Sequence, residues 1–247
     1  MLRGLYIAAG AMMAQRKRMD VLTNNLANLE TPGFKKDYTV TRSFNDVLIS
    51  RLNDSNSRWD NQPVGPLSYG VHLDEVVTRF QQGNVQQTTR SADMALEGDG
   101  FFVVETPKGL RYTRAGNFQV NSNGYLCTSE GYFVRGTAGR VRVGGQDFSV
   151  DNAGNIVSPA GASRLQIVSF ADNKLLSKEG SNLYAGPAAT KQSTAQVLQN
   201  SLELSNVDMA QETVDMIEVQ RNYETNQRII NMFNNSLQKT VNDVGRV

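Results

Sequence analysis

The chain has 247 residues, with 25 lysines and arginines against 24 aspartates and glutamates, a net charge of +1. That balance removes the electrostatic reason to expect nucleic acid or an anionic membrane as partner. Mean hydropathy is −0.40 and no apolar run approaches the ~20 residues that span a bilayer, so the protein is expected to be soluble.

The opening run, MLRGLYIAAGAMMAQRKR, superficially resembles a signal peptide. Leu5, Met12, Met19 and Leu26 nevertheless recur at seven-residue intervals beyond any cleavage point, so the segment is expected to be retained as a helix. A second, weaker column, Ala8, Gln15, Leu22 and Leu29, completes a narrow seam of period 3.5 that suits packing against another helix. The basic run Arg16-Lys17-Arg18 reads as a solvated face. Asn24, Asn25 and Asn28 crowd the last turns, and Pro32 pushes Thr31 away from helical geometry, so the helix is expected to end before Thr31. Thr31-Pro32-Gly33-Phe34 suits a type II turn with Gly33 at positive φ.

Residues 34–71 lack a sustained period and are rich in Asn, Ser, Gly and Pro around the single tryptophan, Trp59. They read as an extended connector with room for short strands, and Arg42 to Leu52 is expected to form a brief helix. From His72 onward the pattern is β: FFVVE, LRYTR, NFQV, YFVRG, RVRV, DFSV and LQIVSF are separated by Gly- and Asn-containing turns. FQVNSNGYLCTSEG from Phe118 is echoed by FSVDNAGNIVSPAG from Phe148, so each unit reads as strand, tight turn, strand, with Asn123-Gly124 the strongest hairpin signal. Two copies are too few for a solenoid and imply a small duplicated β-domain.

Chemistry finds little support. One cysteine, Cys127, and one histidine, His72, exclude an intrachain disulfide, a His-centred triad and a Cys/His zinc site built from this chain alone, though not carboxylate-only or Ser/Lys chemistry. Cys127 reads as a small strand residue. Asp93, Glu97 and Asp99 could supply the paired carboxylates of a glycosidase; the plainer reading is that Gly98 and Gly100 bend the chain into a buried strand while the acids stay solvated. Asp151 to Asn155 lacks the full ligand set of a calcium loop.

The C-terminal segment carries Met209, Met216, Tyr223, Ile230, Leu237 and Val244 at unbroken seven-residue intervals. A second column, Glu212, Val219, Asn226, Phe233 and Thr240, alternates polar and apolar. Ser205-x-x-Asp208 resembles a capping box, so a helix is expected from about Val207 to Val244, roughly 57 Å long at 1.5 Å per residue. The heptads alone leave open whether the two helices pair within the chain or share a seam with neighbouring subunits. The polar residues in the stripe can set register and partner choice.

ANLETPGFKK (27–36), DMALEGDGFFVV (93–104), YTRAGNFQVNSNGYL (112–126) and LELSNVDMAQETVDMIEVQRNYETNQRII (202–230), in this order, resemble the flagellar basal-body rod and hook axial proteins. The resemblance implies an α+β fold with terminal helices (1–33 plus 200–247) as an inner domain. It also implies a connector (34–71) between neighbouring subunits and a β-rich outer domain (72–199). It further implies export without a cleaved signal by the flagellar type III apparatus and termini that order on assembly. The expected partners are further copies of the chain, other axial proteins and the export apparatus, with no cofactor, metal, nucleic acid or small-molecule substrate. Leu5, Met12, Met19, Leu26, Met209, Met216, Tyr223, Ile230, Leu237 and Val244 are the expected interface. Asn24, Asn25 and Asn28 are expected where helices of different subunits meet, with Thr31, Pro32, Gly33 and Phe34 turning the chain outward. The alternatives are a secreted coiled-coil scaffold or adhesin, and an enzyme using the Asp93–Asp99 acids.

Overall fold

The computed structural model describes residues 2–52, 61–145, 147–180, 182–187 and 191–245; Trp59 lies outside the described residues. Two long terminal helices flank a central multi-stranded β region, an α+β fold. The chain divides into two compact units: a helical unit of Met1–Asn24, Asp37–Val77 and Ala210–Val247, and a β unit of Asn25–Lys36 and Thr78–Met209.

In the helical unit, α1 spans Leu2–Ala27 and α2 spans Met209–Val244. The 36 residues of α2 contain neither Gly nor Pro, so nothing in the sequence interrupts a helix of about 54 Å. It starts two residues later than the capping-box reading placed it. Asp208 therefore precedes the first helical residue, while Ser205 Oγ accepts from the Val207 N–H at 3.4 Å. Gly4 lets the helices approach closely: a Cβ there would lie 2.6 Å from Cζ of Phe233.

Strands Asp37–Ser43 and Val71–Thr78 pair, and an Arg42–Asp74 ion pair of 3.1 Å ties them. The brief helix expected at Arg42 to Leu52 is not formed. Val47–Leu52 is a strand pairing antiparallel with Asn61–Leu67, with a register shift between Ile49 and Ser50. Val47 and Ile49 are β-branched, and antiparallel pairing with the next strand decides against a local helix.

The β unit is organised by the strand Phe101–Thr106, whose first four residues, Phe101 to Val104, are buried on both faces and therefore apolar without alternation. Phe102 and Val104 enter one core with Met94, Phe118, Leu126, Val134, Ile156 and Val197. Phe101 and Val103 enter a second with Tyr112, Val168 and Tyr184, where edge-to-face rings stack at 5.2–5.8 Å. The run lies inside a ten-stranded sheet, between Gly109–Thr113 and Phe133–Gly136.

The duplicated units both form strand–turn–strand. Gly124 N–H donates to Asn121 O at 2.9 Å and Gly154 N–H to Asp151 O at 2.8 Å, with φ of 77° and 78°. Only the glycine of Asn123-Gly124 has positive φ. The turn is thus a β-turn over Asn121–Gly124 within the loop 121–125, braced by Asn121, whose Oδ1 accepts from the N–H groups of Asn123 and Tyr125.

Candidate assembly site

Thr31 to Phe34 form the expected turn: the Phe34 N–H donates to Thr31 O at 3.3 Å and Gly33 has φ 69°. Gly33 is needed for a second reason, since a Cβ there would lie 2.4 Å from Ala115 N. The turn is held on the β unit from several sides. Gly33 N–H donates to Glu203 O at 2.7 Å, and the amide of Asn182 donates to Pro32 O at 3.1 Å. Asn182 itself sits at φ 56°, a region asparagine tolerates better than most residues.

Beyond the turn lies a feature the sequence reading missed. Lys35 is completely buried, and its Nζ donates to Glu203 Oε1 at 2.5 Å and to Gln81 O at 2.8 Å. Glu203, also buried, accepts in addition from the Gly83 N–H at 3.0 Å and from Arg114 Nη1 at 3.3 Å. Arg114 donates onward to Gly98 O at 2.6 Å. One carboxylate thus faces two buried cations. Burial lowers the Lys35 ammonium below its ordinary range, ahead of the opposing attraction of Glu203, and likewise lowers Arg114. Burying such a cluster sets attraction against desolvation, so its clearest contribution is a strict geometric requirement.

Asn206 completes the arrangement. Its Oδ1 accepts from the Lys36 N–H at 2.8 Å, its Nδ2 donates to Arg79 O and Gln81 O, and its backbone N–H reaches Phe34 O. Lys178 lies over the Phe34 ring at 3.8 Å and donates to Lys35 O. The segment after α1 and the segment before α2 are therefore clamped to each other and to the sheet. The signals were the Lys35-Lys36 pair directly after the turn and an acid in LELSNVD, but their separation of 168 residues hid the pairing.

The expected rod-motif asparagines divide. Asn25 is buried within the chain at 1% exposure, Asn28 Oδ1 accepts from Thr31 Oγ1 at 3.1 Å, and Asn24 is exposed. On α1 the weaker column proves the more covered: Ala8 and Leu22 are buried, whereas Leu5, Met12, Met19 and Leu26 are half-buried. On α2, Met216, Tyr223, Ile230 and Leu237 are half-buried, Met209 and Val244 are exposed, and only Glu212 and Val219 are buried. Further large apolar residues outside the expected set stand exposed: Tyr6 and Met13 on α1, and Val214, Ile217, Met232 and Val241 on α2.

The acids singled out for catalysis do not converge. Asp93 is buried, contrary to the expectation that it stays solvated, and accepts from Thr88 Oγ1 at 2.9 Å; Glu97 and Asp99 are exposed at the bend where Gly98 has φ 101°. Cys127 is buried on its strand, its thiol 3.4 Å from Gln119 O and pushed up by burial. His72 stacks on Phe44 at 4.7 Å. The Asp151–Asn155 turn closes through backbone hydrogen bonds, and no group of three metal-ligating side chains occurs among the described residues.

Residues 5–35 match the family described as "Flagella basal body rod protein", residues 95–174 "Flagellar hook protein FlgE/F/G D1 domain", and residues 198–243 "Flagellar basal body rod FlgEFG protein C-terminal". The flagellar basal-body rod protein FlgG of Buchnera aphidicola subsp. Baizongia pistaciae is 32% identical over 97% of this chain and 98% of its own. FlgG of Bacillus subtilis is 32% identical over 98% and 99%. The flagellar hook-basal body complex protein FlhO of Bacillus subtilis is 28% identical over the whole of both chains. The chain belongs to the flagellar basal-body rod protein family.

Proposed function

We infer that this protein is a structural subunit of the bacterial flagellar basal-body rod, polymerising through its terminal helices into the axial shaft that transmits torque. Its role is mechanical and not enzymatic. The observation that carries the reading is α2. It is a 36-residue helix with two buried residues and large apolar side chains on its exposed surface, in a chain of this family. Apolar surface of that extent on a helix is stabilised by burial against neighbours.

Interaction with other flagellar axial proteins and a place outside the cytoplasm, in the envelope, follow from the family. The finer assignment is to the basal body, reached through the flagellar export apparatus without a cleaved signal, with other copies of the chain and hook-type subunits as neighbours. Residues 1–33 and 200–247 serve as the inner helical layer, 34–71 as the connector and 72–199 as the outer layer. The interface comprises Leu5, Met12, Met19, Leu26, Met209, Met216, Tyr223, Ile230, Leu237 and Val244, extended by the exposed residues at 6, 13, 214, 217, 232 and 241. Among the asparagines, Asn24 is the one whose exposure suits a contact between subunits. Heterologous contacts that do not close generate the open helical symmetry an axle needs.

The test is complementation of a strain lacking this gene. Glu at Met216, Tyr223 or Ile230 is expected to abolish rods and motility while the β unit keeps its circular dichroism. Normal rods built from such variants would contradict the reading.

A further inference from the structure

The β unit carries a basic, aromatic face that the clamp does not use. Arg140 lies over the Phe133 ring at 4.4 Å and is fixed there by Glu105, at 2.8 and 3.1 Å. Arg142 lies over Tyr125 at 5.9 Å, and the Tyr125 and Phe133 rings meet edge to face at 5.7 Å. Arg135 is the cross-strand partner of Arg140. Arg164 belongs to the same neighbourhood, since its carbonyl accepts from the Thr137 N–H. Glu105 is bonded to Arg140 and also attracts Arg135 at longer range, but neither Arg135 nor Arg142 forms an ion pair within 4.0 Å among the described residues. Guanidinium groups stacked on rings lose less freedom on binding a carboxylate than free ones do.

An acidic counterpart lies on the same unit. Glu97 and Asp99 are exposed and form no ion pair within 4.0 Å among the described residues, although Asp99 attracts Arg114 at longer range. The bend that presents them is held from below. Arg114 donates to Gly98 O, the Gly98 N–H donates to Gln82 Oε1 at 3.2 Å, and Ser193 Oγ donates to Asp99 O. The two features are separated along one strand, with Arg142 near its Glu105 end and Arg135 level with Val103. Asp99 precedes Phe101–Thr106, and Glu105, cross-strand partner of Phe133, lies near its far end. From Asp99 to Glu105 is about 20 Å at 3.3 Å per residue. Two complementary patches that do not pair within one body can pair head to tail between copies.

We propose that the Arg135–Arg142 face of one subunit docks the Glu97–Asp99 bend of a second copy. This rests on the rod-subunit reading and names one contact within it. Direct carboxylate–guanidinium pairing between Glu97 and Asp99 of one copy and Arg135 and Arg142 of the next sets the spacing of the outer β units.

The test is reversal and restoration in the deletion strain. Arg135→Glu with Arg142→Glu, and separately Glu97→Lys with Asp99→Lys, are each expected to lower the yield of isolated rods at least tenfold, with thermal melting of the full chain unchanged. The chain carrying all four substitutions is expected to recover most of the yield, because the pairing is re-formed with opposite sign. Arg135→Gln with Arg142→Gln tests the face without reversal and is expected to lower yield by a smaller factor. Wild-type yield from either reversed pair overturns the proposal, as does a folded four-substitution chain that does not recover. The wild-type gene, supplied in parallel, separates the two levels. If it builds no rods the rod reading itself fails, and if it does, a failure of restoration counts against this contact alone.

Discussion

Replacing Glu203 by Gln keeps the shape of the clamp and removes the carboxylate bonded to both of its cations. Lys35 and Arg114, with side chains 0% and 3% exposed, are then left without their carboxylate. Removing one partner of a buried ion pair costs about 3–5 kcal/mol, most of it the penalty on the charge left behind. The Gln carbonyl still offers Gly83 N–H an acceptor, so the loss isolates the charge. With a urea m value of about 2 kcal/mol/M, the midpoint should fall by about 1.5–2.5 M. Near-ultraviolet circular dichroism from the buried Tyr112, Tyr184 and Phe101 follows the β unit in the full chain. Lys35→Met removes one of the two cations, so in combination with Glu203→Gln the two losses should fall short of additivity by about 0.5–3 kcal/mol. A Glu203→Gln midpoint within about 0.3 M of wild type, or strict additivity, would refute the reasoning.

Two further outcomes follow from the same region. Gly33→Ala meets both a φ of 69° and the backbone of Ala115, and should destabilise the β unit by more than about 1 kcal/mol from φ alone, read as a midpoint shift in the same unfolding assay. The second concerns pH. Lys35 has its folded value held below the ordinary 10.5, so between the two the unfolded chain binds the extra proton and the contribution of this group rises with pH. The midpoint of the wild type relative to Lys35→Met should therefore move in favour of the wild type as pH rises toward the ordinary value; a constant or opposite difference would show that Lys35 is not desolvated as described.

What the sequence made legible was what local chemistry decides. Pro32 and Gly33 announced the turn, the heptads announced both helices, and the Phe118 and Phe148 echoes announced two matching turns. Lys35 was illegible because a lysine is ordinarily solvated and nothing local marks the one whose partner lies 168 residues away. The covered column of α1 was misjudged for a related reason. Ala8 is small and looked weak, yet small residues are the ones that allow close packing, while the bulkier Met12 and Met19 remain half-buried. Val47–Leu52 was read as helical because the short segment itself does not show that it pairs with Asn61–Leu67 later in the same connector. Asp93 was expected in solvent because spacing shows where an acid is, not that Thr88 Oγ1 donates to it.

The account stands or falls on whether neighbouring subunits cover the exposed apolar surface of α2. Val241→Cys, in a Cys127→Ala background, places a single thiol at a position 69% exposed in the isolated chain. Maleimide labelling of this thiol should be rapid in the free subunit and at least tenfold slower in isolated rods. Equal rates in both states would contradict the claim that the terminal helices are the polymerisation surface.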